Sequence, residues 1–163
     1  MSIQQEIRAK GIALGMCDKF KSKWGEGEQK SVKDLCRMFH EGQDFCIEHN
    51  FPSVEDIQSF GDEPKEYGVY ASNGVSKYNT SVVALGNAIV DVFVIDNICD
   101  ITARHNATIR LHITGKSLCY VSAYDNCNIF VERKDNTSRL CMSYWAGNIQ
   151  NESKFDKINY KNK

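Results

Sequence analysis

No apolar run in this chain is long enough to cross a bilayer, and charges are scattered through the first residues, MSIQQEIRAKGIALGMC. A spanning helix needs roughly 20 apolar residues, so a membrane span is excluded. Without a continuous apolar stretch near the start, no signal peptide is expected. Several signatures of chemistry are also missing. There is no G-x-G-x-x-G, no P-loop and no H-E-x-x-H, which leaves dinucleotide, nucleotide and zinc-protease readings without their carriers. Seven cysteines occur, at 17, 36, 46, 99, 119, 127 and 141, yet none has C-x-x-C spacing. Zinc-ribbon and thioredoxin readings therefore fail. The Asp-Asn pairs lack the G-G-x-G-x-D repeat of a calcium β-roll. Charge of either sign is not in excess: the net charge is −1, so no global field points to nucleic acid or an anionic surface.

The thiols are odd in number and no export signal is visible, so they are expected reduced, in a cytoplasmic compartment, packed as small hydrophobes. Hydrophobic residues make up 42% of 163 and charged ones 25%, enough for a real core in one domain or two small modules.

Residues 1–61 read as helical. Ile3, Ile7, Leu14, Cys17 and Trp24 recur at helical intervals, which predicts one helix up to the Gly25-Glu26-Gly27-Glu28 break. Ser31 and Asp34 form a cap for a second helix with an apolar stripe of Val32, Leu35, Phe39 and Cys46 and with Phe45 on its shoulder. Asn50 and Pro52 end it. Ser53 and Asp56 repeat the cap before Ile57 and Phe60, and Gly61 is the stop.

From about Tyr70 the period changes to two. Turn pairs fall every nine or ten residues: Gly86-Asn87, Asp96-Asn97, His105-Asn106, Gly115-Lys116, Asp125-Asn126 and Asp135-Asn136. That beat alone fits a meander of hairpins. Comparison at about twenty residues separates two strand families. A bulky one runs Ala88-x-Val90-x-Val92-x-Val94, Ala107-x-Ile109-x-Leu111-x-Ile113, Cys127-x-Ile129-x-Val131. A small one runs Cys99-x-Ile101-x-Ala103, Cys119-x-Val121-x-Ala123 and a weakened Arg139-x-Cys141-x-Ser143. Hairpins have no reason to alternate in this way; stacked coils do. The expected fold is α+β, with N-terminal helices packed on a C-terminal β-solenoid over residues 62–148, two strands and about 20 residues per coil. Asn87, Asn97, Asn106, Asn126 and Asn136 mark its corners, and stacked Asn side chains are expected to bond between coils. Residues 149–163 read as a polar tail, locally basic through Lys154, Lys157, Lys161 and Lys163.

The stretch KSVKDLCRMFHEGQDFCIEHNFPS (30–53), followed by EYGVY (66–70), the ten-residue β repeat and A-R-H-N at 103–106, resembles a group of small uncharacterised bacterial proteins associated with phage-derived genes. The resemblance implies the same helical and solenoid halves and brings no activity with it.

Chemistry is thinly represented. His40 and His49 fall on opposite sides of one helix or nearly so, a poor joint ligand pair, and His40 is expected at the surface or an interface. His105 and Asp125 are stacked neighbours, but no nucleophile accompanies them. Cys99 and Cys119 are adjacent inward thiols without further ligands for a soft metal. No catalytic residue, metal or cofactor is assigned. The outward positions say more. Phe93 and Phe130 lie on one face, and Leu118, Tyr120, Tyr124, Met142 and Tyr144 on the other, which grows aromatic toward the C-terminus. Such patches mark interfaces. The reading is a non-enzymatic interaction or scaffold protein, self-associating or bound to a protein partner, with nucleic acid disfavoured and no membrane. The alternative is a small-molecule binder or small enzyme whose site lies where helices meet solenoid, near His49, Phe51, Tyr67 and Tyr70.

Overall fold

The computed structural model describes residues 1–161. It is an α+β protein of two compact units, Met1–Tyr67 and a second from Gly68 onward. The division falls after a further short helix at residues 63–66, later than the composition change suggests.

The first unit contains six helices: α1 (Ile3–Ala13), α2 (Asp18–Trp24), α3 (Val32–Glu41), α4 (Gln43–His49), α5 (Val54–Gln58) and α6 (Glu63–Glu66). The expected single helix to Trp24 is broken in two, because Gly15 turns left-handed at φ +97°. The break resets the phase. Ile7 and Trp24 stay buried, whereas Ile3, Leu14 and Cys17 are exposed. Gly42 likewise divides the second expected helix into α3 and α4. The caps form as read from the sequence. Ser31 Oγ accepts from the Asp34 N–H (3.1 Å), and Ser53 and Asp56 cap each other reciprocally at 3.0 and 3.3 Å. Asn50 closes α4 in the left-handed region. Asp56 also takes a 2.8 Å ion pair from Lys10, tying α5 to α1. Ile7, Met16, Trp24 and Phe51 make the small core, with Phe20, Leu35, Met38, Phe45 and Phe60 packed around it.

The second unit is a parallel β-solenoid. Its strands are β1 (Val69–Tyr70), β2 (Gly74–Ser76), β3 (Ser81–Ala84), β4 (Ile89–Ile95), β5 (Ile98–Ala103), β6 (Thr108–Thr114), β7 (Leu118–Ala123), β8 (Asn128–Lys134), β9 (Arg139–Tyr144), β10 (Asn148–Gln150) and β11 (Lys157–Tyr160). Odd strands form one sheet, β1-β3-β5-β7-β9-β11, here called sheet A. Even strands form the other, β10-β8-β6-β4-β2, or sheet B. Every strand therefore pairs with the strand two further along, in parallel. Val90, Ile109 and Ile129 stack in register on sheet B, as the twenty-residue comparison required. Cys99 stacks on Cys119 in sheet A. Bulky Val, Ile and Leu of sheet B meet Cys, Ala, Val and Ile of sheet A in one continuous core, almost wholly sealed from water.

The third small-side strand is one residue out of the expected phase. Leu111 pairs with Val131, but His112 pairs with Arg133, so Glu132 is an extra residue in β8. The surplus residue carries forward along the chain. Cys119 then stacks on Leu140, twenty-one residues later, where Cys99 and Cys119 are twenty apart. Leu140 and Met142 are consequently buried, and Tyr144 packs against the core. Arg139, Cys141 and Ser143 turn outward. Met142 and Tyr144 thus leave the expected outer surface, because a one-residue slip exchanges the two faces of a strand.

The corners also hold by a device other than asparagine stacking. The left-handed residue is the one before each Asn or Lys: Gly86, Asp96, His105, Gly115 and Asp125. Corner side chains bridge adjacent coils, His105, Asp125 and Asp135 to the coil before and Asp96 to the coil after. His105 Nδ1 accepts from the Gly86 N–H (3.0 Å), and Asp125 Oδ2 from the His105 N–H (2.9 Å). On the opposite edge Asp135 Oδ2 accepts from the Gly115 N–H (3.0 Å), while Asp96 Oδ1 accepts from Lys116 N–H (2.9 Å). Asn87, Asn106 and Asn126 do align, since Asn106 and Asn126 donate from the main chain to the Gly86 and His105 carbonyls.

Residues 148–160 continue the solenoid rather than trailing as a polar tail. Strand β10, a 3-10 turn at Glu152–Lys154 and β11 make a last, shorter coil. Ile149, Phe155 and Ile158 pack on the core, and Asp156 accepts from the Leu140 N–H at 2.8 Å. Lys163 lies outside the described residues.

Gly115 is the tightest corner. It sits at φ +70°, and a Cβ there would collide with the Asp96 carboxylate. Gly115→Ala is expected to lower unfolding free energy by about 1–3 kcal/mol, seen as a lower urea midpoint at unchanged slope. An unchanged midpoint would contradict the corner geometry.

Candidate interaction faces

Inward side chains seal the tube, so the outward positions present the solenoid's chemistry. On sheet A three outward rows of neighbours run across the strands, and the third, Thr102, Ser122, Ser143 and Asn159, is polar throughout. The first is Ile98 (β5), Leu118 (β7), Arg139 (β9). The second is Asp100, Tyr120, Cys141 and Lys157 on β5, β7, β9 and β11. Ile98 is 57% exposed and Tyr120 48%. Next to this patch, where β7 and β9 leave the sheet, Tyr124 and Trp145 stack at 5.7 Å and 13°. Each donates its N–H to the coil beneath, to Ala103 and Ala123 respectively, which fixes the two rings one coil apart. Of the residues expected on this face, Leu118, Tyr120 and Tyr124 point outward. Met142 and Tyr144 do not, and Ile98, Cys141 and Trp145 take part instead.

Phe93 and Phe130 stand on sheet B, on the opposite side of the tube, so the seven expected surface residues do not make one patch. Their setting is polar. Asp91 holds Arg110 at 2.7 Å and His112 at 3.2 Å. His112 lies flat on Phe93, with centroids 4.2 Å apart and planes 9° apart, and Lys77 sits 5.9 Å from the Phe93 centroid. Arg110 is beside Phe130 in register. These cross-strand pairs fasten β4 to β6.

The candidate reactive groups are occupied by structure. His105 spends Nδ1 and its N–H in the corner ladder, where Asp125 grips its main chain. His40 is half-buried; its Nε2–H donates to the Tyr67 carbonyl at 2.8 Å, and desolvation holds its pKa below the usual imidazole value. His49 lies against the Phe45 ring, 4.5 Å away. Phe51 belongs to the helical core, and the Tyr70 hydroxyl donates to the Val75 carbonyl at 3.1 Å within the solenoid.

Five cysteines are buried, Cys17 is exposed and Cys141 is half-buried. Burial pushes the Cys36 thiol up to about 12 and the Cys127 thiol up to about 11. The Cys119 thiol is also raised, by its hydrogen bond with Cys99 and by burial. Such thiols are almost entirely protonated at neutral pH and poor nucleophiles. Among the described residues no group of three or more His, Cys, Asp or Glu is placed to hold a metal ion. No helix among them is long and apolar enough to cross a membrane.

Two of these features carry a signal in the sequence. Leu140, Met142 and Tyr144 form a more apolar alternating set than Arg139, Cys141 and Ser143, which favours them for the interior whatever the repeat length. Asp91 and Arg110 stand one coil apart with opposite charges on the same face. No protein-family model, curated protein or solved structure matches the chain.

His40 makes a pH test of the helical unit. The folded ring resists a proton that the unfolded ring takes up near pH 6.5. The unfolded state therefore binds more protons below that value, and stability falls as pH drops from about 7 toward 5. Comparing denaturation midpoints of wild type and His40→Gln over this window should show a smaller fall in the variant. Parallel curves would contradict a half-buried imidazole that resists protonation.

Proposed function

We propose that the chain is a non-enzymatic interaction or scaffold protein that holds a protein on the outer face of sheet A. The observation that carries this reading is the patch of exposed Ile98 on β5 and half-buried Leu118 and exposed Tyr120 on β7, with Leu118 in register with Ile98 on a regular sheet. Apolar and aromatic side chains fixed by a regular backbone lose little further entropy on docking, and aromatic residues are enriched where interfaces concentrate binding energy. The corner turns around this face at 96–97, 116–117 and 136–137 are short, which suits a flat macromolecular contact better than an enclosed small substrate. The reduced, protonated thiols accord with an intracellular reducing setting. The resemblance to phage-associated bacterial proteins extends the proposal to an accessory role beside such genes.

The experiment is affinity capture with the chain as bait, comparing wild type with Tyr120→Arg and Tyr78→Arg. Tyr78 is more exposed, at 86%, but lies in the β2–β3 loop. Tyr120→Arg should reduce the captured chain, whether a second copy or another protein, by about tenfold or more, and Tyr78→Arg should leave it. Equal retention by all three baits would refute the docking face.

A further inference from the structure

We propose that the protein held on sheet A is a second copy of this chain, docked face to face about a two-fold axis running along β7. The inference rests on the reading that this face is an interaction face, and adds its occupant and geometry. Its basis is the order of charge across the strands. Asp100 stands on β5, Leu118 and Tyr120 on β7, Arg139 on β9 and Lys157 on β11. An acid thus lies on one side of an apolar centre, and on the other lie Lys157 and Arg139, the latter paired with Asp156 at 3.3 Å, so that flank keeps one net positive charge.

A two-fold axis parallel to β7, lying between the two faces, reverses strand order and keeps the rows. Strand β7 then covers β7, and β5 covers β9. Leu118 and Tyr120 of each copy meet their own kind in the centre, the part of an interface that excludes water. Asp100 of each copy lies over Cys141 of the other, between Arg139 and Lys157, whose side chains are long enough to reach diagonal positions. Ile98 covers the aliphatic stem of Arg139 from the second copy. An isologous dimer makes every such contact twice. The competing arrangement, with the axis along the stacking direction, lays β5 on β5 and β9 on β9 and brings like charges together, which costs affinity. All these side chains are exposed or half-exposed in the chain itself, so docking requires no rearrangement of the sheet.

Solution mass over a concentration series tests the pairing, with wild type, Asp100→Lys, Lys157→Glu and the double variant Asp100→Lys/Lys157→Glu. Wild type should run as a dimer at the higher concentrations. Each single charge reversal should weaken dimerisation roughly tenfold or more, because like charges then face each other twice. The double variant should recover part of the lost affinity, since the contact between positions 100 and 157 is restored with its signs exchanged while Arg139 keeps its charge. Circular dichroism matching wild type shows that each variant is folded. A wild type that is monomeric throughout overturns the pairing, as does a dimer indifferent to Asp100→Lys or one that the double variant fails to restore. If wild type is monomeric while Tyr120→Arg still releases a different captured protein, the self-pairing falls and the docking face stands.

Discussion

The main-chain ladder between coils is the constraint on which the solenoid depends. Every strand from β3 to β9 bonds a strand one coil below and one coil above it. Each coil must therefore return with its carbonyls and N–H groups in phase with the last. Because side chains alternate at a period of two, a coil may change length only if its faces are reset at the same time. The step is nineteen residues from Val90 to Ile109, twenty from Cys99 to Cys119 and twenty-one from Cys119 to Leu140. The variation is absorbed by corners whose left-handed residues and side-chain acceptors clamp one coil to the next, and by the bulge at Glu132.

That constraint also determines what the outside offers. The inner positions must be small or apolar to fill a narrow tube, which leaves the outer rows for recognition. On sheet B the outer row is tied up in cross-strand contacts, with Asp91 bridging Arg110 and His112 and Phe93 stacked on His112. On sheet A the patch Ile98, Leu118, Tyr120 has Asp100 on one flank and, on the other, Lys157 and an Arg139 paired with Asp156. A polar, internally paired face and an apolar, flanked face play different parts: the first strengthens the sheet, the second suits docking.

Much of this was legible in the sequence at a twenty-residue reading, because the bulky and small strand families could only alternate if coils stacked. The bulge was not, since Glu132 is an ordinary polar residue and nothing local marks it as surplus. Following the repeat past it put Met142 and Tyr144 outside, whereas their hydrophobicity argued for the interior. The helical unit shows the same limit. Apolar periodicity runs on through Gly15 and Gly42, and it cannot show that the backbone turns there. The caps at Ser31 and Ser53 were legible because a cap is a contact within four residues. The partner of half-buried His40, the Tyr67 carbonyl, was not legible because it is distant in sequence and carries no side-chain signature.

The phase of β9 is the most direct check on the account, and the cysteines report it. With the bulge, Cys141 faces outward and half-buried while Cys99, Cys119 and Cys127 are sealed in the tube. Alkylation of the native protein, read cysteine by cysteine by mass spectrometry, should modify Cys17 and Cys141 well before those three, which should react only on unfolding. Protection of Cys141 to the same degree as Cys119 would place β9 one residue away and contradict the arrangement of both faces.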